Sequence, residues 1–184
     1  MASGTKRARW IPAIGLAATV LVLALSSPTG SSAGGSPYAS VTGSGKVTFS
    51  DFPTPGVNTT EQFAISAHDG PHGPTGSIVV HSPLYSIDPA VVDVTCILVD
   101  GSEARVGGTF QQSFSFLGSQ ISHFGVVVRD NGSPGDGGPD EIHPVEFIDK
   151  PRPPTFSPCN LPPQVVNNLF PLDSGNYVLT EASQ

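Results

Sequence analysis

Apolar and polar residues alternate with a period of two in eight successive segments of this chain, and turn-forming residues separate them. Val47 and Phe49 mark the first segment, Phe63, Ile65 and Ala67 the second, and Ile78 and Val80 the third. The fourth, Val91 to Val99, is apolar on both faces apart from Asp93 and Thr95. Val92, Val94, Cys96 and Leu98 share one of those faces, which predicts an inward-pointing Cys96. In the fifth, Ala104, Val106 and Phe110 stand opposite Glu103, Arg105 and Thr109. Phe124, Val126 and Val128 mark the sixth, Val145 and Phe147 the seventh, and Tyr177 and Leu179 the last. A period of two is the signature of a strand with one face buried, because successive side chains leave a pleated backbone on opposite sides.

The punctuation between segments agrees. Asp69 to Pro74 separates the second from the third, and Asn131-Gly132 opens the long loop after the sixth. Asp100-Gly101, between the fourth and fifth, predicts a two-residue type I′ turn with positive φ at both positions. Gly107-Gly108 predicts a bulge or sharp bend inside the fifth strand. No segment sustains a helical period, and Gln164 to Phe170 has room for one short turn of helix. The pattern therefore predicts an all-β fold: a single antiparallel domain of about eight strands, with an up-and-down barrel preferred over a sandwich. Closure removes exposed edges, and a central glycine pair suits the curvature.

The first 33 residues read differently. Lys6, Arg7 and Arg9 form a positive n-region, Trp10 to Leu25 an uncharged and mainly apolar h-region, and Ser31-x-Ala33 a small-x-small cleavage site. The 16-residue apolar run is interrupted by Pro12 and falls short of the about 17–25 residues that a membrane helix needs. The expected organisation is a cleavable signal peptide at 1–33, a flexible Gly/Ser-rich lead-in at 34–43, and one all-β domain at 44–184. A lipoprotein is excluded, since the only cysteines, Cys96 and Cys159, lie far from the h-region.

Composition sharpens this picture. Glycine and proline together number 40 of 184 residues, which disfavours helix interiors. The whole chain has a formal charge of −7; residues 34–184 keep 5 of the 8 basic and all 15 acidic residues, so their balance is 5 − 15 = −10. No basic patch exists to neutralise phosphates, which argues against nucleic acid and against an anionic membrane surface as partner. Two cysteines in an exported chain imply one disulfide, Cys96 to Cys159, pinning a proline-rich tail to the apolar fourth segment.

The candidate chemistry is sparse. Asp130, Asp136, Asp140 and Glu141 crowd one glycine-rich loop, and Ca²⁺ takes six to eight oxygen ligands of this kind. Their spacing does not follow the EF-hand, and Pro134 and Pro139 interrupt the run, so a solvated turn competes with the calcium reading. His68, Asp69 and His72 could meet around one loop as zinc ligands. There is no Gly-x-Ser-x-Gly elbow, and Gly43-Ser-Gly-Lys46 lacks the rest of a phosphate loop. A carboxyl pair for glycoside cleavage is defined by a separation of about 5–9.5 Å, which the fold sets and not the sequence. Asn58-Thr-Thr60 matches a glycosylation acceptor.

Three stretches carry a resemblance. Val94 to Gly108, with its Val-x-Cys run followed by Gly-Gly, Val126 to Gly135, with Asp-Asn-Gly-x-Pro-Gly, and the closing Ser174-Gly-Asn-Tyr-Val178 occur in this order. Together they resemble a family of exported, largely uncharacterised β-domains of actinobacteria and related bacteria. The resemblance covers most of 44–182, implies a secreted β-domain and supports pairing Cys96 with Cys159, but implies no activity. Ser133 stands where the family often has Glu.

These observations lead to an expected role outside the cytoplasm: a non-enzymatic β-domain, either structural or binding an extracellular ligand or surface component. The alternative is a metal-dependent or carbohydrate-active extracellular hydrolase. Cleavage at Ala33 has a spectroscopic consequence, because the single Trp and single Met, Trp10 and Met1, both lie in the leader. The mature protein purified from its host is expected to fluoresce as tyrosine only; a tryptophan emission band would mean that the leader is retained.

Overall fold

The computed structural model describes residues 38–132, 137–150, 153 and 155–183. The leader and its cleavage site lie outside the described residues. Nine strands follow in order: β1 (Ser40–Phe49), β2 (Thr59–His68), β3 (Thr75–His81), β4 (Ala90–Asp100), β5 (Glu103–Phe116), β6 (Ser119–Arg129), β7 (Glu141–Ile148), β8 (Phe170–Pro171) and β9 (Ser174–Thr180). One turn of helix, α1 (Pro163–Val166), precedes β8. β1 begins at Ser40, inside the stretch read as lead-in, because Val41 is already fully buried on the inner face.

The strands form one antiparallel sheet in the order β8-β7-β6-β5-β4-β3-β2-β1-β9. Apart from β8 and β9, this is the sequence order, an up-and-down meander. The sheet curls strongly. Phe63 on β2 and Phe124 on β6 stand four strands apart, about 19 Å in a flat sheet, yet their ring centroids are 6.3 Å apart. Inward residues of every strand from β1 to β7, together with Tyr177 of β9, fill the enclosed space as a single cluster.

The two short final strands are what bring the sheet's ends together. β8 pairs with β7 (Ile142 opposite Phe170), and two residues later β9 pairs with β1 (Lys46 opposite Ser174). The Leu172 amide donates to the Asp140 carbonyl (2.8 Å) and the Asp173 amide to the Lys46 carbonyl (2.7 Å). One continuous stretch of chain thus bridges both edges of the meander. The ninth strand absent from the sequence pattern is β8, too short to show a period.

β4 corrects a sequence-based expectation. Its pairing with β5 skips from Val94 opposite Gly108 to Cys96 opposite Gly107, so Thr95 is the extra residue of a bulge. One added residue exchanges the faces of everything beyond it. Ile97 is buried in the core cluster while Leu98 is half exposed, and Cys96 turns away from the interior. There it stands at disulfide distance from Cys159, 2.16 Å between sulfurs. The bulge expected inside β5 at Gly107-Gly108 lies instead on β4, directly across from that glycine pair. The Asp100-Gly101 turn also differs: Asp100 pairs with Glu103, and of the loop residues Gly101 and Ser102 only Gly101 has positive φ (59°). Glycine at the first central position is the requirement of a type II′ turn.

The tail carrying Cys159 lies on the outer face of β5, β6 and β7. Gly107 and Gly125 are paired across β5 and β6 and leave a flat floor there. A Cβ on Gly107 would come 2.8 Å from Pro158 Cβ, and one on Gly125 2.4 Å from the Pro158 carbonyl. Phe156 completes the cover, edge-on to His123 and Phe147 at 5.2 and 5.3 Å. This explains the continuous burial of Phe124 to Val128, whose strand is covered on both faces. A bridge across 63 residues of chain is worth on the order of 4 kcal/mol in the loop-entropy account.

Asp140 is buried at the start of β7, and its oxygens hold the closing segment. Oδ1 accepts from the Asn131 amide (2.9 Å) and Oδ2 from the Tyr177 amide (2.6 Å). Asn in its place can accept at only one atom and would turn an NH₂ against a backbone N–H. Asp140→Asn is expected to lower stability by about 2–3 kcal/mol in urea denaturation, the scale for a charge-assisted bond lost in a buried site. A loss within error of zero would mean that closure does not depend on this carboxylate.

Candidate functional site

Closure is incomplete at one end of the sheet. Pairing of β7 with β8 stops at Ile142, and pairing of β1 with β9 stops at Lys46. Pro144, two residues further along β7, has no N–H to offer a partner, and proline is tolerated in strands chiefly where an edge is free. The ends of β1 and β7 therefore part, and a pocket of about 300 Å³ occupies the opening.

Aromatic rings make its walls. They run in contact from His143 to Phe170 (5.2 Å between centroids), to Phe49 (4.9 Å), Phe52 (6.1 Å), Phe116 (6.5 Å) and Tyr85 (5.4 Å). The arc closes through β7, because the Tyr85 hydroxyl donates to Glu146 Oε1 (2.6 Å), three residues from His143. His143 Nδ1 is itself bonded to the Asn168 carbonyl.

Three carboxyl groups line this pocket: Asp51 just beyond β1, Glu61 of β2 and Glu146 of β7, of which Glu61 and Glu146 lie deep. Glu61 is only 3% exposed and its Oε1 accepts from the buried Ser82 hydroxyl. Among the described residues, its second oxygen meets no hydrogen-bond donor. Burial pushes Glu61 up to about 7, opposed by the Ser82 bond and aided by the charge of Glu146. Burial also raises Glu146, against the lowering effects of the Tyr85 hydroxyl and its own backbone N–H. Tyr85 is raised as well, by burial and then by the negative charge of Glu146. Two buried acids share this space; burial makes each harder to ionise, and the charge of Glu146 makes Glu61 harder still.

Of the residues read as calcium ligands, three lie among the described residues. Asp136 lies outside the described residues. Asp130 Oδ1 accepts from the Gly132 amide (2.8 Å), Asp140 is occupied with the closing segment, and Glu141 turns to Arg129 at 2.9 Å. Among the described residues no three His, Cys, Asp or Glu side chains are grouped to hold a metal ion. His68 Nε2 is bonded to Thr75 Oγ1 (2.9 Å), and His72 lies in the exposed loop beyond it. Glu61, Ser82, Tyr85 and Glu146 escaped the sequence reading. A signal for Glu61 was there: it falls in phase with Phe63, Ile65 and Ala67, so a charge was due on the inner face. Glu146 was hidden because Val145 and Phe147 mark the opposite face of β7, which the tail covers.

Glu61 links the pocket to folding. It titrates near 4.5 when unfolded and near 7 when folded. Below about 4.5 both states hold the proton and Glu61 leaves stability unchanged. As pH rises from there to about 7 only the folded state holds it, so stability falls, by on the order of 3 kcal/mol in all, and stays lower above. Urea denaturation across this range is expected to show that decline, and Glu61→Gln to flatten it while keeping an acceptor for Ser82. An unaltered slope in the variant would assign the decline to other groups.

Compared with protein-family models, with curated proteins and with solved structures, the chain finds no match in any of the three.

Proposed function

We propose that this protein is an exported, non-enzymatic binding module that takes a small ligand in the pocket at the open end of its curled sheet. The observation that carries the reading is the pocket itself: concave, walled by four phenylalanine rings, with polar groups converging on it from two strands and a loop, the composition of small-molecule sites. Other hollows of about 290–370 Å³ exist among the described residues, but none of these three is lined by more than one phenylalanine or tyrosine ring or by a buried carboxyl. The signal-like leader and the Cys96–Cys159 pair support a place outside the cytoplasm, where disulfides persist. Among the described residues no helix is long and apolar enough to cross a membrane.

A carbohydrate-active hydrolase is the second reading, favoured by the same two carboxyls. A group held near 7 suits a general acid. Its partner must be ionised to serve as nucleophile or base, and burial makes that form of Glu146 harder to reach. Binding without turnover fits this pairing better.

Protein-observed NMR with a library of small amphipathic fragments tests the proposal. Hits are expected to shift the resonances of Phe49, Phe52, Phe116 and Phe170. They are expected to vanish in Ser50→Trp, which places a large ring at the pocket's exposed mouth. Hits confined to other surfaces would remove the reading, and release of nitrophenol from aryl glycosides would replace it with the second.

A further inference from the structure

The charges around the pocket are of one sign. Asp51, Glu61 and Glu146 line it, and no lysine or arginine is among its lining residues. The groups facing Glu61 are Glu146 and His143 from β7, Ser82 and Tyr85 from the connection between β3 and β4, and Asp51 from the connection between β1 and β2. Not one of these supplies a fixed positive charge, and the imidazole of His143 is turned to a backbone carbonyl. Glu61 therefore presents an enclosed oxygen that meets no hydrogen-bond donor among the described residues, beside a second buried carboxyl and the rings of Phe49, Phe52, Phe116 and Phe170.

A neutral hydroxyl could satisfy that oxygen but would leave the negative charge uncompensated. A calcium ion would find three carboxyl groups and the Ser50 hydroxyl among the lining side chains, short of the six to eight oxygens that calcium takes, and no three His, Cys, Asp or Glu among the described residues are grouped to hold a metal. An ammonium group satisfies both needs, because it donates N–H to the open oxygen, balances the charge, and is attracted to the faces of aromatic rings.

We infer that the pocket binds a small organic cation, its ammonium head bonded to Glu61 beside Glu146 and its apolar body held between Phe49, Phe52, Phe116 and Phe170. The inference rests on the proposal that this pocket is the binding site, and it names the ligand's chemical class. Binding takes the ionised form of Glu61, so a protonated carboxyl gives its proton to solvent as the cation enters: cation plus carboxylic acid yields the ion pair plus H⁺.

Benzylamine and benzyl alcohol match in size and differ in charge, and benzylamine stays cationic throughout the pH range used. Calorimetric titration of the full chain at about pH 8 is expected to show benzylamine bound about 10-fold more tightly than benzyl alcohol. Lowering the pH to about 5 is expected to weaken benzylamine by about 10-fold and leave benzyl alcohol unchanged, since Glu61 takes up its proton on the way and neither probe changes charge. Near neutral pH, heats that vary with the buffer's ionisation enthalpy should report the released proton. Glu61→Gln and, independently, Glu146→Gln should each abolish the preference for the amine without weakening the alcohol. Equal affinity for the two probes would overturn the cation inference and leave the binding site standing. Binding of neither would overturn both. A larger stabilisation by calcium chloride than by benzylamine would also overturn the inference, in favour of a metal.

Discussion

Asp140 is an acid buried at the point where the curled sheet meets itself, with one oxygen on the Asn131 amide and the other on the Tyr177 amide. A buried carboxylate is costly unless each oxygen is met, and here the partners are backbone donors that would themselves be orphaned without it. The same residue offers its carbonyl to Leu172, so the closing segment is tied to β7 by backbone and side chain together. Because Phe170 to Thr180 reaches both edges, β1 and β7 face a common interior. The core of valine, isoleucine and phenylalanine depends on that enclosure.

Where this closure stops, the pocket begins. Pro144 leaves β7 without a donor on a free edge, the end of β1 diverges, and rings from both strands turn into the gap. Glu61 and Glu146 are placed there at a cost in stability, since burial makes each harder to ionise and Glu146 raises Glu61 further. Groups so perturbed, gathered in one concavity, are the usual mark of a working site. The acids toward the outer end of β7 have a different role: Glu141, with Glu103, Arg105 and Arg129, forms a chain of ion pairs that pins neighbouring strands.

Much of the fold was legible because a strand with one buried face must alternate, and β1, β2, β3, β5 and β9 do so as read. The reading failed where alternation lost its meaning. Thr95 bulges, and from that residue on the face of β4 is exchanged, which carries Cys96 outward to the tail. On β7 the apolar residues Val145 and Phe147 pack under Phe156 and Leu161, outside the sheet, while Glu146 faces inward. There hydrophobicity pointed to the wrong side, because both sides are covered. Asp140 drew notice as a metal ligand for its place in an acidic loop, but its surroundings are backbone amides.

The sequence by itself determined an all-β chain of short strands and tight turns, its acidic balance, its two-cysteine economy and the phase of most of its strands. These are local properties, fixed by the pleat and by the turn chemistry of glycine, asparagine and aspartate. Only the tertiary structure decided which face of β4 and β7 looks inward, how the last eleven strand-region residues join two distant edges, and that Glu61, Glu146 and Tyr85 meet. Curvature brings together residues that lie far apart in the chain, and no local period carries information about which strands the curling sheet will set face to face.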